Sequence, residues 1–545
     1  MRAWYRARQQ HSSPPVVTGS RRRAVFVVLV VVLSGALTAA FRFLTISFNN
    51  DHFVHLTAAQ QMLFGDWPTR DYIDIGRPLQ IAGSAAAQYL LGHTLFSEAV
   101  LVSAALGVAA AITATVVFTF TGSLSVAVAA ALVETVAFPR AYSYPKPLMT
   151  AAALWLIAHF LRRPSGMRQI MMAAGTTIAF LFRHDLGLFV GAGGMVASML
   201  AAPTAQWRER CRNATAFGAF VLAFTAPYLI YVHLNGGLWN YFATALEQNQ
   251  TESGYEWPNP LSGGEDWTAQ LLYAFHLLPV VALGVCAVDW TRSRHRWQMA
   301  FLISAAVVAV AENFGLIRED LNVRIPDAIV PAVVLGAGIA RRAWQARSPY
   351  TWIPVTAVLV VVGLAVGELG NTRERLRRAG LTGQVVWQPK SVPVLFAQRS
   401  AELHERFADL PSRAARALHP FFLYVDRCTT QQHRLFLGGL IPEVAYFAQR
   451  PFAGGGYEHY NFTSRLNQQR VVDRLRRQVV PFALIPGDSA TQLDDDLPIV
   501  AGYVHKRYVL LANLPVPGDE SIRILVDRTL PPKSRDLETG WPCFR

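Results

Sequence analysis

Charge is scarce in this sequence. Asp, Glu, Lys and Arg make up 16% of its 545 residues against 52% hydrophobic residues, which is apolar for a soluble protein of that length. Cysteine is scarcer still, with four, at Cys211, Cys286, Cys428 and Cys543. Their spacing contains no C-x-x-C pair and no His-rich run, so it offers no structural zinc site. The glycine-rich phosphate loop is missing, which argues against ATP-driven transport. G-x-S-x-G, H-E-x-x-H and the dinucleotide fingerprint are missing as well. No repeat of 20–50 residues is visible. The two halves lack matching interrupted helices, which counts against a secondary transporter.

What the sequence does have is apolar runs of about 20 residues, the length an α-helix needs to cross the hydrocarbon core. Eleven spans are expected, at about 24–45, 96–120, 123–138, 148–161, 170–183, 186–202, 216–234, 270–288, 299–316, 327–340 and 352–369. The first has the basic start of a signal peptide. Its apolar core, 24–40, is too long, and Phe41-Arg42-Phe43 is a poor cleavage site, so it reads as an uncleaved membrane helix. The net charge of +14 does not point to nucleic acid, because the arginines fall in short clusters between apolar runs. With the N-terminus in the cytosol these clusters lie on the inner side, as the positive-inside rule requires. The expected organisation is a cytoplasmic basic tail (1–23), a membrane domain (24–370) and an extracytoplasmic domain (371–545), in a multi-pass inner-membrane protein. The acidic-plus-basic clusters near the membrane then share the outer face.

From about residue 371 the sequence turns polar. RERLRRAGLTGQ reads as a juxtamembrane helix or linker. FFLYVD (421–426), LFLGGL (435–440), VPFALIP (480–486) and RYVLLANL (507–514) read as strands around a helix at 467–478, a small α/β module. Cys428 and Cys543 both fall in this exported part, where disulfides persist, and are expected to pair.

The first outer loop, SFNNDHFVHLTAAQQMLFGDWPTRDYIDIGRP, places Asp51, Asp66, Asp71 and Asp74 with His52, His55, Arg70 and Arg77 directly after the first span. With the apolar AGSAAAQYLLG behind it, the loop resembles the first outer loop of the GT-C glycosyltransferases, membrane enzymes that use lipid-phosphate sugars. It is most similar to their protein O-mannosyltransferase and aminoarabinose-transferase-like branch. PRAYSYPKPLMTAAALWL, AFLFRHDLGLF and LIREDLNVRIPDAIVP fit as the later outer loops, so the resemblance covers about 20–340. It implies an α-helical GT-C-like membrane fold and an inverting transfer from a polyprenyl-phosphate sugar to an envelope glycan, lipid or protein. No cofactor is implied, and Asp51 matches the family's catalytic base. The family's second acidic residue has no counterpart in PRAYSYPKP, which argues against a metal-binding carboxylate pair and for cations handling the phosphate.

Such a transfer needs a base for the acceptor hydroxyl, positive charge for the departing phosphate and a pocket for the sugar. Asp51 is either that base or a helix cap. Asp71 and Asp74 either bind sugar hydroxyls or hold Arg70 and Arg77, and Asp66 fits a GDWP turn. The phosphate candidates are Arg140, Lys146, Arg183 beside Asp185, Arg318 and Arg324; cations at span ends also snorkel without further role. Tyr142, Tyr144, Trp67 and Tyr72 either stack on a sugar or form an interfacial aromatic belt. The loop 241–267 is a candidate lid. Two other classes stay open: a transporter or flippase of lipid-linked sugars, and a non-catalytic scaffold of envelope assembly.

Overall fold

The computed structural model describes residues 21–74, 76–201, 206–251, 257, 267–289, 296–316, 324–345, 349–381, 391–407, 410, 412–456, 463–487, 493–516 and 521–545. A helix occupies each of the eleven stretches expected to span, from Arg21–Thr45 to Pro349–Leu369. Six contain a segment long and apolar enough to cross a membrane: Ala24–Thr45, Leu95–Thr121, Trp207–Asn235, Thr268–Val288, Arg296–Phe314 and Trp352–Leu369. Others, such as Leu124–Ala137 and His184–Leu200, are apolar but shorter. The first span crosses the Leu95–Thr121 helix at two glycines. A Cβ on Gly35 would stand 2.7 Å from Gly107 O, and one on Gly107 2.6 Å from Gly35 O. Small residues let helix backbones approach this closely where no hydrophobic effect separates helix from lipid.

Two helices build the stretch expected as the first outer loop, Asn50–Leu63 and Pro78–Leu91. Asn49 caps the former, its side chain accepting from His52 N at 3.3 Å, so the cap is not Asp51. Asp51 falls in the first turn, where the helix dipole favours a carboxylate. Gly166–Phe182 and His184–Leu200 meet at a single extended residue, Arg183 (φ −160°, ψ 126°).

The C-terminal region is α/β. Its mixed sheet has the order β1-β2-β4-β3, from Leu435–Leu437 (β1), Phe482–Pro486 (β2), Tyr508–Leu514 (β3) and Ile522–Asp527 (β4). β1 and β2 are parallel and the other pairs antiparallel. The expected strand FFLYVD is instead part of a helix, His419–Cys428. Its buried residues, Phe421, Phe422, Tyr424, Val425 and Cys428, follow helical and not alternating spacing, and Pro420 stands in the first turn, where proline is tolerated. β4 was not anticipated. Cys428 and Cys543 form a disulfide.

This domain seats on the first outer loop. Gln61 Nε2 donates to Phe452 O at 3.2 Å while Gln61 Oε1 accepts from Phe452 N at 3.0 Å. Thr57 Oγ1 donates to Pro442 O at 2.7 Å. Arg434 pairs with Asp66 at 2.6 and 3.1 Å. Asp66 thus joins two domains, a role that its local GDWP context does not reveal.

Candidate functional site

Asp51 and His55 lie four residues apart on one helix face. Both meet Tyr142, from the short turn Ala141–Ser143 in the second outer loop. The Tyr142 hydroxyl donates to Asp51 Oδ2 at 2.9 Å, and the rings of His55 and Tyr142 have centroids 6.2 Å apart. Asp51 is exposed. His55 is buried and held well below the usual histidine range, by desolvation first and then by Arg77, His52 and Arg183. It therefore stays neutral, and its Nε2 accepts from Arg77 Nη1 at 3.3 Å. His52 points away from Asp51, to Glu98 at 3.1 Å.

Behind Tyr142 stands a cluster of cations. Arg140 Nη1 donates to the Tyr142 hydroxyl at 2.6 Å. Its Nε and Nη2 grip Asp327 Oδ2 at 3.0 and 2.5 Å, and its backbone N reaches Asp327 Oδ1 at 3.1 Å. Lys146 Nζ is 3.5 Å from the same carboxylate. Arg140 and Lys146 together balance the buried Asp327 carboxylate. Arg183 makes a two-pronged pair with Asp185 at 3.0 and 2.6 Å. Arg183, Arg140 and Lys146 lie within electrostatic reach of one another. Two segments far apart in sequence thus bring three cations together, partly balanced by the carboxylates of Asp327 and Asp185 and adjoining a third at Asp51.

The remaining acids divide by environment. Asp71 is half-exposed and bonds Arg70 Nε and Trp67 N, both at 2.8 Å. Desolvation raises its carboxyl, yet Arg70 and the Trp67 N–H bring the balance below the ordinary value. Asp74 is buried at 5% exposure. Its Oδ1 accepts from Gly76 N and Arg77 N, both at 3.1 Å, and its Oδ2 from the hydroxyls of Tyr228 and Tyr241 at 3.1 and 3.2 Å. Tyr241 also bonds His184 Nε2 at 2.9 Å. Gly76 is needed where this loop folds down: its φ is +93°, and a Cβ there would meet the His184 ring at 2.8 Å.

Other expected residues fare differently. Tyr144 is 1% exposed and packs edge-on against Phe182, so it presents no face to a sugar; Tyr142, two residues earlier, holds the position beside Asp51. Arg324 is half-buried and immediately precedes the Ile325–Ala328 turn that carries Asp327. Arg318 and most of the expected lid, 252–256 and 258–266, lie outside the described residues. Asp327 was missed because the expected span began with it. The signal was present in LIREDLNVRIPDAIVP: Pro326-Asp327 ahead of an apolar run marks a helix entrance. His55 was legible as the residue sharing a face with Asp51. Among the described residues, the potential metal-ligand atoms that cluster are those of Cys428, Asp536 and Cys543, where the two sulfurs are bonded to each other.

No protein-family model and no curated protein sequence matches this chain. Solved structures do. ArnT from Cupriavidus metallidurans bound to undecaprenyl phosphate superposes with a TM-score of 0.52 at 14% identity, covering 93% of this chain and 98% of the other. The apo structure of the same protein gives 0.49 at 15% identity over 92% and 98%. The fold of this chain is thus GT-C-like, mostly helical with several apolar helices, and is matched along nearly its whole length.

Proposed function

We propose that the protein is an inverting glycosyltransferase that moves a sugar from a polyprenyl-phosphate donor to an envelope acceptor at the outer face of the membrane. The observation that carries this reading is the convergence of Asp51, through Tyr142, on the cation group Arg140, Lys146 and Arg183. The ArnT structure with undecaprenyl phosphate bound shares the fold and supports a polyprenyl-phosphate ligand.

The chemistry follows from the placement. The acceptor hydroxyl attacks the anomeric carbon of the donor, and its proton passes to the Asp51 carboxylate as the new C–O bond forms. The bond from the anomeric carbon to phosphate oxygen breaks, and its electron pair leaves with the lipid phosphate. Arg140, Lys146 and Arg183 meet that growing charge; the arginines present forked donors and the lysine a point charge. Asp327 and Asp185 fix the directions of these cations, and Tyr142 orients the Asp51 carboxylate. A single displacement with a single base inverts the anomeric centre.

The test uses the full chain, purified and reconstituted in lipid, with a polyprenyl phosphate carrying a radiolabelled sugar and an envelope extract as acceptor. Label leaving the lipid for a water-soluble or glycolipid product supports the reading. Label that crosses the bilayer still attached to its lipid would instead make the protein a flippase.

A further inference from the structure

A second polar site adjoins this one. A cleft of about 550 Å³ lies between the first outer loop, residues 235–244 and the Arg465–Arg477 helix of the C-terminal domain. Asp51 does not line it, but Asp74 and Tyr241 do. Tyr241 is bonded to His184, the residue after Arg183, so the cleft and the cation group share a wall.

The Arg465–Arg477 helix presents one face to this space. Asn467, Arg470, Val471, Arg474, Arg477 and Gln478 all line the cleft, and their spacing of three, four and seven residues is that of a single helical stripe. Arg434 and Arg70 line the opposite side. Some of these cations are committed: Arg434 to Asp66, Arg70 to Asp71, and Arg474 to Arg70 O at 3.1 Å. Arg470 and Arg477 are exposed, and Arg477 Nε reaches only as far as Asp473 O on its own helix, at 3.0 Å.

The lining selects a ligand class. Among the described residues that line it, the aliphatic ones are Ile73 and Val471, too little apolar surface for an acyl chain. Asp71, Asp473 and Asp66 would repel the closely spaced phosphates of a nucleic acid. Carboxylates and side-chain amides set among arginines suit a ligand with many hydroxyls and a few negative charges. Hydroxyls donate to the Asp side chains and accept from the amides of Asn235, Asn240 and Asn467, while the anionic groups take the arginines. Building on the reaction proposed above, we infer that this cleft binds an anionic saccharide, a uronate- or phosphate-bearing glycan strand, and that this strand is the acceptor led toward Asp51.

The experiment measures binding to the full chain in lipid nanodiscs by calorimetry. The probes are a galacturonate hexamer, a phosphorylated mannan oligosaccharide and neutral maltohexaose. Binding of either charged probe, without binding of maltohexaose, is expected, and whichever binds identifies the charge as carboxylate or phosphate. Arg470→Glu with Arg477→Glu is expected to weaken that binding by about tenfold or more. Arg465→Glu with Arg476→Glu, two residues of the same helix that do not line the cleft, is expected to leave it within about twofold. Thermal melts of both double variants check that the domain is intact. Equal binding of maltohexaose, no binding of either charged probe, or equal weakening by both double variants overturns the inference. Loss of the cleft and loss of the proposed reaction are separable. Asp51→Asn should bind the charged probe normally and yet fail to transfer sugar, whereas a chain that transfers sugar but ignores the charged probes defeats the cleft alone.

Discussion

At the scale of single residues, one hydroxyl ties Asp51 to the cation group. Tyr142 bonds both Asp51, at 2.9 Å, and Arg140, at 2.6 Å. Removing that hydroxyl costs an orienting hydrogen bond of about 1 kcal/mol. Tyr142→Phe is therefore expected to lower kcat about fivefold while leaving donor binding and the melting temperature unchanged, as steady-state kinetics on the reconstituted enzyme will show. A rise in KM with kcat intact would mean that Tyr142 binds substrate instead of orienting the base. Part of this environment was readable in advance. Asp51, Arg140, Lys146 and Arg183 declare themselves as charges at the ends of apolar runs. Which of them face each other does not, because Asp327 reaches Arg140 across 187 residues and nothing local encodes that pairing. The full burial of Tyr144 and the partial burial of Tyr142 hang on the phase of one short turn, which composition does not set.

At the scale of elements, burial of a carboxyl leaves a measurable trace. Glu443, in the Glu443–Ala448 helix, is 1% exposed, and the Ser412 hydroxyl donates to its carboxyl at 2.9 Å. Burial pushes its carboxyl up to about 7, partly offset by its own backbone N–H and then by that hydroxyl. A raised acid binds its proton more tightly in the folded state than in the unfolded one. The cost of ionising it is thus absent below about pH 4.5 and is fully felt once pH passes about 7, where it reaches about 3 kcal/mol. Glu443→Gln is expected to raise the melting temperature at pH 8 and to change it little at pH 4.5; an equal shift at both pH values would mean that Glu443 carries no such penalty. The sequence read this domain as α/β and located β1, β2, β3 and the Arg465–Arg477 helix by their patterns. It misassigned FFLYVD, because a run of apolar and aromatic residues buried on a wide helix face has the same composition as a buried strand.

At the scale of the whole molecule, the α/β domain and the membrane domain act on each other through the first outer loop. Asp66 and Arg434 form a part-buried, two-pronged pair, with side-chain exposures of 17% and 19%. Beside it, Gln61 bonds both backbone groups of Phe452. Arg434→Ala leaves Asp66 with Gln61 alone. It should loosen the domain against the Asn50–Leu63 helix at a cost of about 1–2 kcal/mol, reduced from the buried-pair figure because both groups touch water. Faster protease cleavage around residues 64–77, with membrane helices still intact, is the expected readout; cleavage at the wild-type rate would show that the pair is dispensable. The membrane domain was the most legible part, since each of the eleven apolar runs became a helix. Domain docking was the least legible, because it is made by Thr57, Gln61 and Gln60, whose Nε2 donates to Ala445 O at 3.4 Å, polar residues that also suit an exposed helix. The most direct test of the whole proposal is sugar transfer by the reconstituted Asp51→Asn variant, with its abundance and donor binding matched to wild type. The account predicts that kcat falls by a factor of about 100 to 10,000 with the donor still bound, whereas transfer near the wild-type rate would contradict it.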